Sequence, residues 1–156
     1  MAELFLGGKV DPATHERTGD DIRIGTDNFT THGVIVGMTG SGKTGLGVVL
    51  IEEVLAAGLP ALLIDPKGDL TNLCLSFPSL APADFRPWID EAQATAAKLS
   101  PDDFAKQQAE TWTKGLLEWG FTTANISALR NTVDFTIYTP GSKAGVPINI
   151  VGSLQV

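Results

Sequence analysis

The chain has 156 residues, one domain by the usual size of about 100–200 residues, and enough to bury a core without disulfide staples. Hydrophobic residues at 43% and charged residues at 19% exclude a solvated, disordered chain. A net charge of −7 lays down no bulk electrostatic footprint for nucleic acid, although a local basic groove is compatible with it.

The lone cysteine, Cys74, excludes an internal disulfide, and without a Cys/His cluster around it the expectation is a small buried hydrophobe. No apolar run reaches the ~18 residues of a membrane span, and the first residues lack the basic start and long apolar stretch of a signal peptide. A cytoplasmic protein with no membrane segment is therefore expected. Glycine takes 17 of the 156 positions, above the usual ~7%, which directs attention to tight turns and to places where backbone approaches a ligand.

Residues 1–31 form an N-terminal extended or hairpin segment. Short extended pieces at 4–10 and 21–25 are separated by the turn signals Asp11-Pro12 and Thr18-Gly19-Asp20. Residues 32–156 form the second part, and it opens as strand, glycine-rich loop, helix, strand. Residues 34–36 (Val-Ile-Val) are a short β-branched run. Residues 46–57 place Leu46, Val49, Leu50, Val54 and Ala57 at helical spacing, and Gly58 supplies a stop. Residues 59–64 are a nearly unbroken apolar run ending at Asp65. Continuous apolar strands around a helix predict a βαβ unit in a mostly parallel sheet covered on both faces.

A helical segment is expected over about 80–131. Ser100-Pro101-Asp102-Asp103 combines a capping Ser, a first-turn Pro and first-turn acids. Behind it Phe104, Gln108, Trp112, Leu116 and Trp119 recur at helical steps, a stripe expected to pack as core, and Gly120 ends that helix. Residues 125–132 read as a short helix, and 133–139 alternate like a strand before Pro140-Gly141.

The chemistry is concentrated in Gly37-Met38-Thr39-Gly40-Ser41-Gly42-Lys43-Thr44, which fits the phosphate-loop pattern Gly-x-x-x-x-Gly-Lys-Ser/Thr (Walker A). A phosphate chain is held best by converging backbone N–H groups at a helix N-terminus. Such groups converge only where bulky Cβ atoms are absent and φ can be positive, hence Gly37, Gly40 and Gly42. Thr39, Ser41 and Gly45 complete the phosphate-binding stretch. Lys43 places an ammonium against the β- and γ-phosphates, and the Thr44 hydroxyl is a ligand for Mg²⁺.

A second constellation is Asp65-Pro66-Lys67-Gly68-Asp69, at the end of the second apolar run. A carboxylate leaving a buried strand emerges at the carboxyl edge of the sheet, where ligands of such folds bind. Asp65 then either holds Mg²⁺ through water or orients the attacking water. The structural alternative is a cap for the turn made by Pro66 and Gly68. Asp69 is a weaker candidate of the same kind, and Lys67 reads as a solvated loop charge.

Residues 22–25, 32–44 and 63–69 together resemble the start of a HerA/FtsK-superfamily ATPase, in particular the helicase-related bacterial HerA-like proteins. Asp65, Gly68 and Asp69 match an Asp-x-x-Gly-Glu/Asp signature of that family, and Tyr138-Thr139-Pro140-Gly141-Ser142 is similar to a later segment of it. The resemblance implies an α/β P-loop NTPase fold of the RecA/ASCE kind, with a mostly parallel sheet flanked by helices. It implies ATP and Mg²⁺ as cofactors, with Lys43, Asp65 and Asp69 in catalysis, and a homo-hexameric ring moving DNA or, in some members, protein.

The sequence departs from the family after Thr44, where no apolar run ends in Asp-Glu. The pair Asp90-Glu91 follows Pro87-Trp88-Ile89, which is not a buried strand. The chain is therefore expected to be an N-terminal portion of a longer ATPase or a degraded relative. Two alternatives stand beside this reading. One is a partitioning or septum-site type ATPase, whose signature wants Lys near position 38, where this chain has Met38. The other is an assembly module that holds nucleotide without turning it over.

Overall fold

A computed structural model describes residues 2–149 and 152. The chain forms two compact units, Met1–Leu70 and Thr71–Val156.

The first unit begins with a hairpin. Strand β1 (Glu3–Val10) pairs antiparallel with β2 (Arg17–Gly25), from Glu3 opposite Gly25 to Val10 opposite Arg17. Asp11 shapes the connection, its carboxylate accepting from the Ala13 and Thr14 N–H groups at 2.7 and 3.1 Å. Irregular register between Phe5 and Gly7 breaks the ladder. There the Phe5 N–H donates at 2.7 Å to Glu53 of helix α1 (Lys43–Ala56), tying strand to helix. Leu4, 1% exposed, is the most deeply buried large side chain, and with Phe29, Val54 and Leu59 it lines a cleft of about 290 Å³.

Helix α1 ends where Gly58 takes φ +76°. The Gly58 N–H bonds to the Leu55 carbonyl and the Leu59 N–H to Val54, which satisfies carbonyls that the helix end leaves open.

The expected parallel sheet is not formed among the described residues. Residues 34–36 and 59–64 belong to no strand, and the sheets present are two short two-stranded ones. Val34, Val36, Leu62 and Ile64 are each more than 80% exposed, whereas Ile35 and Leu63 between them are 39% and 40% exposed, so neither segment is covered on both faces. A parallel strand is stable only when neighbours take its ladder bonds and both faces are packed. Neither condition holds here, so the βαβ reading is right for the helix and wrong for the paired strands. The exposed surface carries the same message. It amounts to 11796 Å², whereas two separate compact bodies of half the chain's mass would together expose about 9,100 Å².

The second unit is mainly helical: α2 (Pro82–Phe85), α3 (Glu91–Ala96), α4 (Pro101–Glu118) and α5 (Thr123–Thr132). The Ser100 hydroxyl accepts from the Asp103 N–H at 3.1 Å, the capping geometry its sequence announced. Gly120, φ +75°, closes α4 with the same pair of end bonds as α1. The core is small: Phe85 packs on Ala105 and Ala109 of α4, with Phe77, Leu80 and Ile89 around them. Alanines four residues apart let α2 approach closely, and Arg86 pairs with Asp102 at 2.5 Å.

The aromatic stripe is only partly the core face: Phe104 and Leu116 are half-buried and the Trp112 ring stands 6.4 Å from that of Phe85, but Trp112 and Trp119 are 55% and 45% exposed and the fully buried positions are the alanines beside them. Cys74 likewise is half-buried, in a 3-10 turn over Asp69–Cys74.

Of the strand expected at 133–139, the structure has only β3 (Tyr138–Pro140), which runs into the anticipated turn and pairs in parallel with β4 (Val146–Ile148). Gly145 makes that approach possible, since a Cβ there would lie 2.5 Å from the Ile137 carbonyl oxygen.

Candidate nucleotide-binding loop

The residues singled out for phosphate binding lie within 37–45 and fold into one local structure, a loop that runs into the first turn of α1. Gly37 lies close under the loop: a Cβ there would stand on the Ser41 hydroxyl, which would have to rotate away, and 3.3 Å from Cγ of Lys43. The loop then turns through Gly40 at φ +80°, with the Ser41 N–H donating to the Met38 carbonyl at 3.2 Å. Gly42, at φ +86° and ψ 10°, is the N-cap of α1. Its carbonyl accepts from Leu46 at 2.9 Å, so the helix ladder starts at once.

No side chain caps the N-terminus of α1. The first N–H groups of a helix have no partner within it, and here they keep their donor capacity and the positive end of the helix dipole. Thr44 is exposed in that first turn, and Gly45 adds no side chain above it. Lys43 is half-buried and folds back over the loop, its ammonium donating at 2.5 Å to the Met38 carbonyl. That carbonyl is a site participant sequence reading missed, because a backbone acceptor at a variable position leaves no mark on residue identity.

The second constellation is placed differently. Asp65 is half-buried, and both of its oxygens bond to the turn that follows. Oδ1 accepts from the Lys67 N–H at 3.2 Å and Oδ2 from the Leu70 N–H at 2.7 Å. This is the capping geometry that stood as the structural alternative. Two N–H donors use about half of the roughly four lone-pair positions of a carboxylate. Asp69 is exposed and begins the 3-10 turn, with Lys67 3.8 Å away as a solvated ion pair. Asp90 caps α3 through the Ala92 N–H at 2.8 Å, a helix-start role and not the end of a buried strand.

The donor set suits a polyphosphate carrying its own cation. Among the described residues no group of three or more His, Cys, Asp or Glu side chains could cage a metal. Mg²⁺ is commonly held by one or two protein oxygens together with substrate phosphates, which is what the Thr44 hydroxyl can supply. No described helix is long and apolar enough to cross a membrane.

Comparison with known proteins is informative in one respect. No curated protein and no solved structure matches the chain. Residues 13–131 match the family described as helicase HerA, central domain, and that span contains the whole loop, α1, Asp65 and Asp69. The chain belongs to the helicase HerA central-domain family.

Proposed function

We propose that this chain binds ATP with Mg²⁺ on the 37–45 loop, as part of an ATPase that couples hydrolysis to movement along DNA. Family membership points to an ATPase of the HerA type in general and implies nucleotide use, typically with Mg²⁺. The observation that carries the specific reading is the loop: a Gly37 packed under Ser41 and Lys43, left-handed glycines at 40 and 42, and an uncapped helix start behind them.

The residues act as follows. N–H groups from Gly40 to Gly45 surround the phosphate chain, and Thr39 and Ser41 flank it. The Lys43 ammonium leaves the Met38 carbonyl for the β- and γ-phosphate oxygens, exchanging a neutral acceptor for charged ones. The Thr44 hydroxyl offers its oxygen to Mg²⁺. When bound, the cation neutralises charge on the phosphates. Asp65, with acceptor positions to spare, orients water near that site, and Asp69 assists. A homo-hexameric ring in the cytoplasm acting on DNA belongs to the same proposal, supported by the family's helicase description.

A second reading, a nucleotide-holding assembly module without turnover, is favoured by one observation: the Asp65 carboxylate is occupied as a backbone cap.

Calorimetric titration of ATP–Mg²⁺ into the natural chain and Lys43→Ala tests binding. The expected result is saturable binding that the substitution abolishes or weakens strongly, with the far-ultraviolet spectrum unchanged. Equal affinity for both proteins overturns the role of Lys43. Release of phosphate at a rate that DNA raises supports translocation, and binding without release selects the assembly module.

A further inference from the structure

The phosphate loop is held between two arms of chain, and both arms are fastened to β1. The entry arm leaves β2 at Gly25, which pairs with Glu3, and the Thr26 N–H donates to the Ala2 carbonyl at 3.0 Å. From there residues 32–38 run into the loop without forming helix, strand or turn. The exit arm is α1 itself. Its far end returns to β1, where the Glu53 carboxylate accepts from the Phe5 N–H at 2.7 Å, a bond between residues 48 apart in sequence. Val54, the next residue, shares the cleft beside β1 with Leu4.

The site lies where the two arms meet. Gly37 of the entry arm lies against Ser41 and Lys43, and the Lys43 ammonium donates to the Met38 carbonyl. With no regular structure over 32–38, the entry arm does little to fix its own distance from the helix start. That distance depends on where α1 lies. A helix moves as one body, and Glu53 stands ten residues beyond Lys43, about 15 Å along the same axis. The local form of β1 suits this contact. Between Phe5 and Gly7 it advances two residues while β2 advances one, from Arg23 to Ile22, so Leu6 is extra and the strand bends where Glu53 meets it. A carboxylate accepting from a backbone N–H is among the stronger hydrogen bonds.

We propose that Glu53 is a positioning residue of the nucleotide site: by holding α1 on the Phe5 N–H, it sets the two arms of the loop at the spacing that phosphate binding needs. This rests on the reading of 37–45 as the nucleotide loop.

Hydrogen exchange of the empty full chain, together with calorimetric titration of ATP–Mg²⁺, tests it on the natural chain, Glu53→Ala and Glu53→Gln. Alanine keeps the helix and removes the acceptor, whereas glutamine keeps an oxygen there. In Glu53→Ala the Ser41 and Leu46 amides, which bond to the Met38 and Gly42 carbonyls, are expected to exchange about tenfold faster, and ATP affinity to fall about tenfold. Glu53→Gln should restore most of both. The Asp11 amide, bonded to the Glu16 carbonyl in the far turn of the hairpin, should keep its natural rate. Should Glu53→Ala not fold, Glu53→Asp decides, since it keeps the charge, shortens the reach and is expected to loosen the same two amides. A natural chain that binds no ATP–Mg²⁺ overturns the nucleotide reading and this proposal with it. A natural chain that binds, with Glu53→Ala binding equally well, overturns this proposal alone. So do Ser41 and Leu46 amides that do not respond, or an Asp11 amide that responds as much as they do, which would mean a general loss of stability.

Discussion

Gly42 offers the sharpest perturbation of the phosphate loop. It enters α1 at φ +86° and ψ 10°, and a Cβ added there meets no atom within 4 Å. The effect of Gly42→Ala is therefore backbone strain alone, about 1–2 kcal/mol for an L-residue held in the left-handed region. Where that strain is felt depends on the empty loop. If the loop keeps its shape without ligand, folding stability falls by the whole amount. If it relaxes when empty, the same amount is lost from binding, about 5–30-fold in affinity at 1.4 kcal/mol per decade. The sum of the two losses is the invariant.

Gly47 is the internal control. It lies inside α1, also with nothing within 4 Å of an added Cβ, and it is not among the glycines at positive φ. Gly47→Ala should stabilise the chain by about 0.5–1 kcal/mol through lower unfolded-state entropy. Urea unfolding followed by circular dichroism, with calorimetric titration of ATP–Mg²⁺, measures both quantities on both variants. A summed loss below about 0.5 kcal/mol for Gly42→Ala, or stability shifts of the same sign at positions 42 and 47, refutes the loop geometry as the basis of the site.

Asp65→Asn can present only one carbonyl oxygen to the two N–H groups that the carboxylate now caps, and should destabilise the turn by about 1–3 kcal/mol in a thermal melt. In an ATPase carrying this chain it should also cut turnover by more than it weakens ATP binding, and equal losses in both would assign Asp65 to capping alone. Leu4→Ala removes the most buried large side chain of the first unit, beside an existing cleft, and should lower unfolding stability by about 2–5 kcal/mol; a change under 1 kcal/mol would mean that the hairpin does not depend on it. Partial desolvation raises the carboxyl of Glu52 above its ordinary value and the neighbouring Glu53 anion raises it further, but the residue is exposed, so solvent keeps the effect on stability small. The fold therefore favours the protonated form, and the stability this group contributes at low pH is lost as pH rises through its raised value. Glu52→Gln should melt higher than the natural chain at pH 7, with the gap closing below about pH 4, and a gap independent of pH would remove the carboxyl as its cause.

What could be read from the sequence is what neighbouring residues decide among themselves. The loop at 37–44, the run of α1 to its Gly58 stop, the Ser100 cap and Gly120 end of α4, and the N-terminal hairpin all follow from caps, positive-φ glycines and turn residues. Each is set within a few positions of where it acts. Three outcomes were not legible in this way. Residues 34–36 and 59–64 have the composition of buried strands, yet a strand exists only by pairing, and no neighbour takes their ladder bonds. The α4 aromatics have core spacing and Trp112 reaches Phe85, but the fully buried positions went to Ala105 and Ala109, whose small size admits Phe85. Asp65 reads as a catalytic candidate ahead of a turn cap, while two of its lone pairs are taken by the backbone N–H groups of Lys67 and Leu70. Identity fixes which bonds a residue is able to make, and only the three-dimensional arrangement brings a partner within the roughly 3 Å at which one is made.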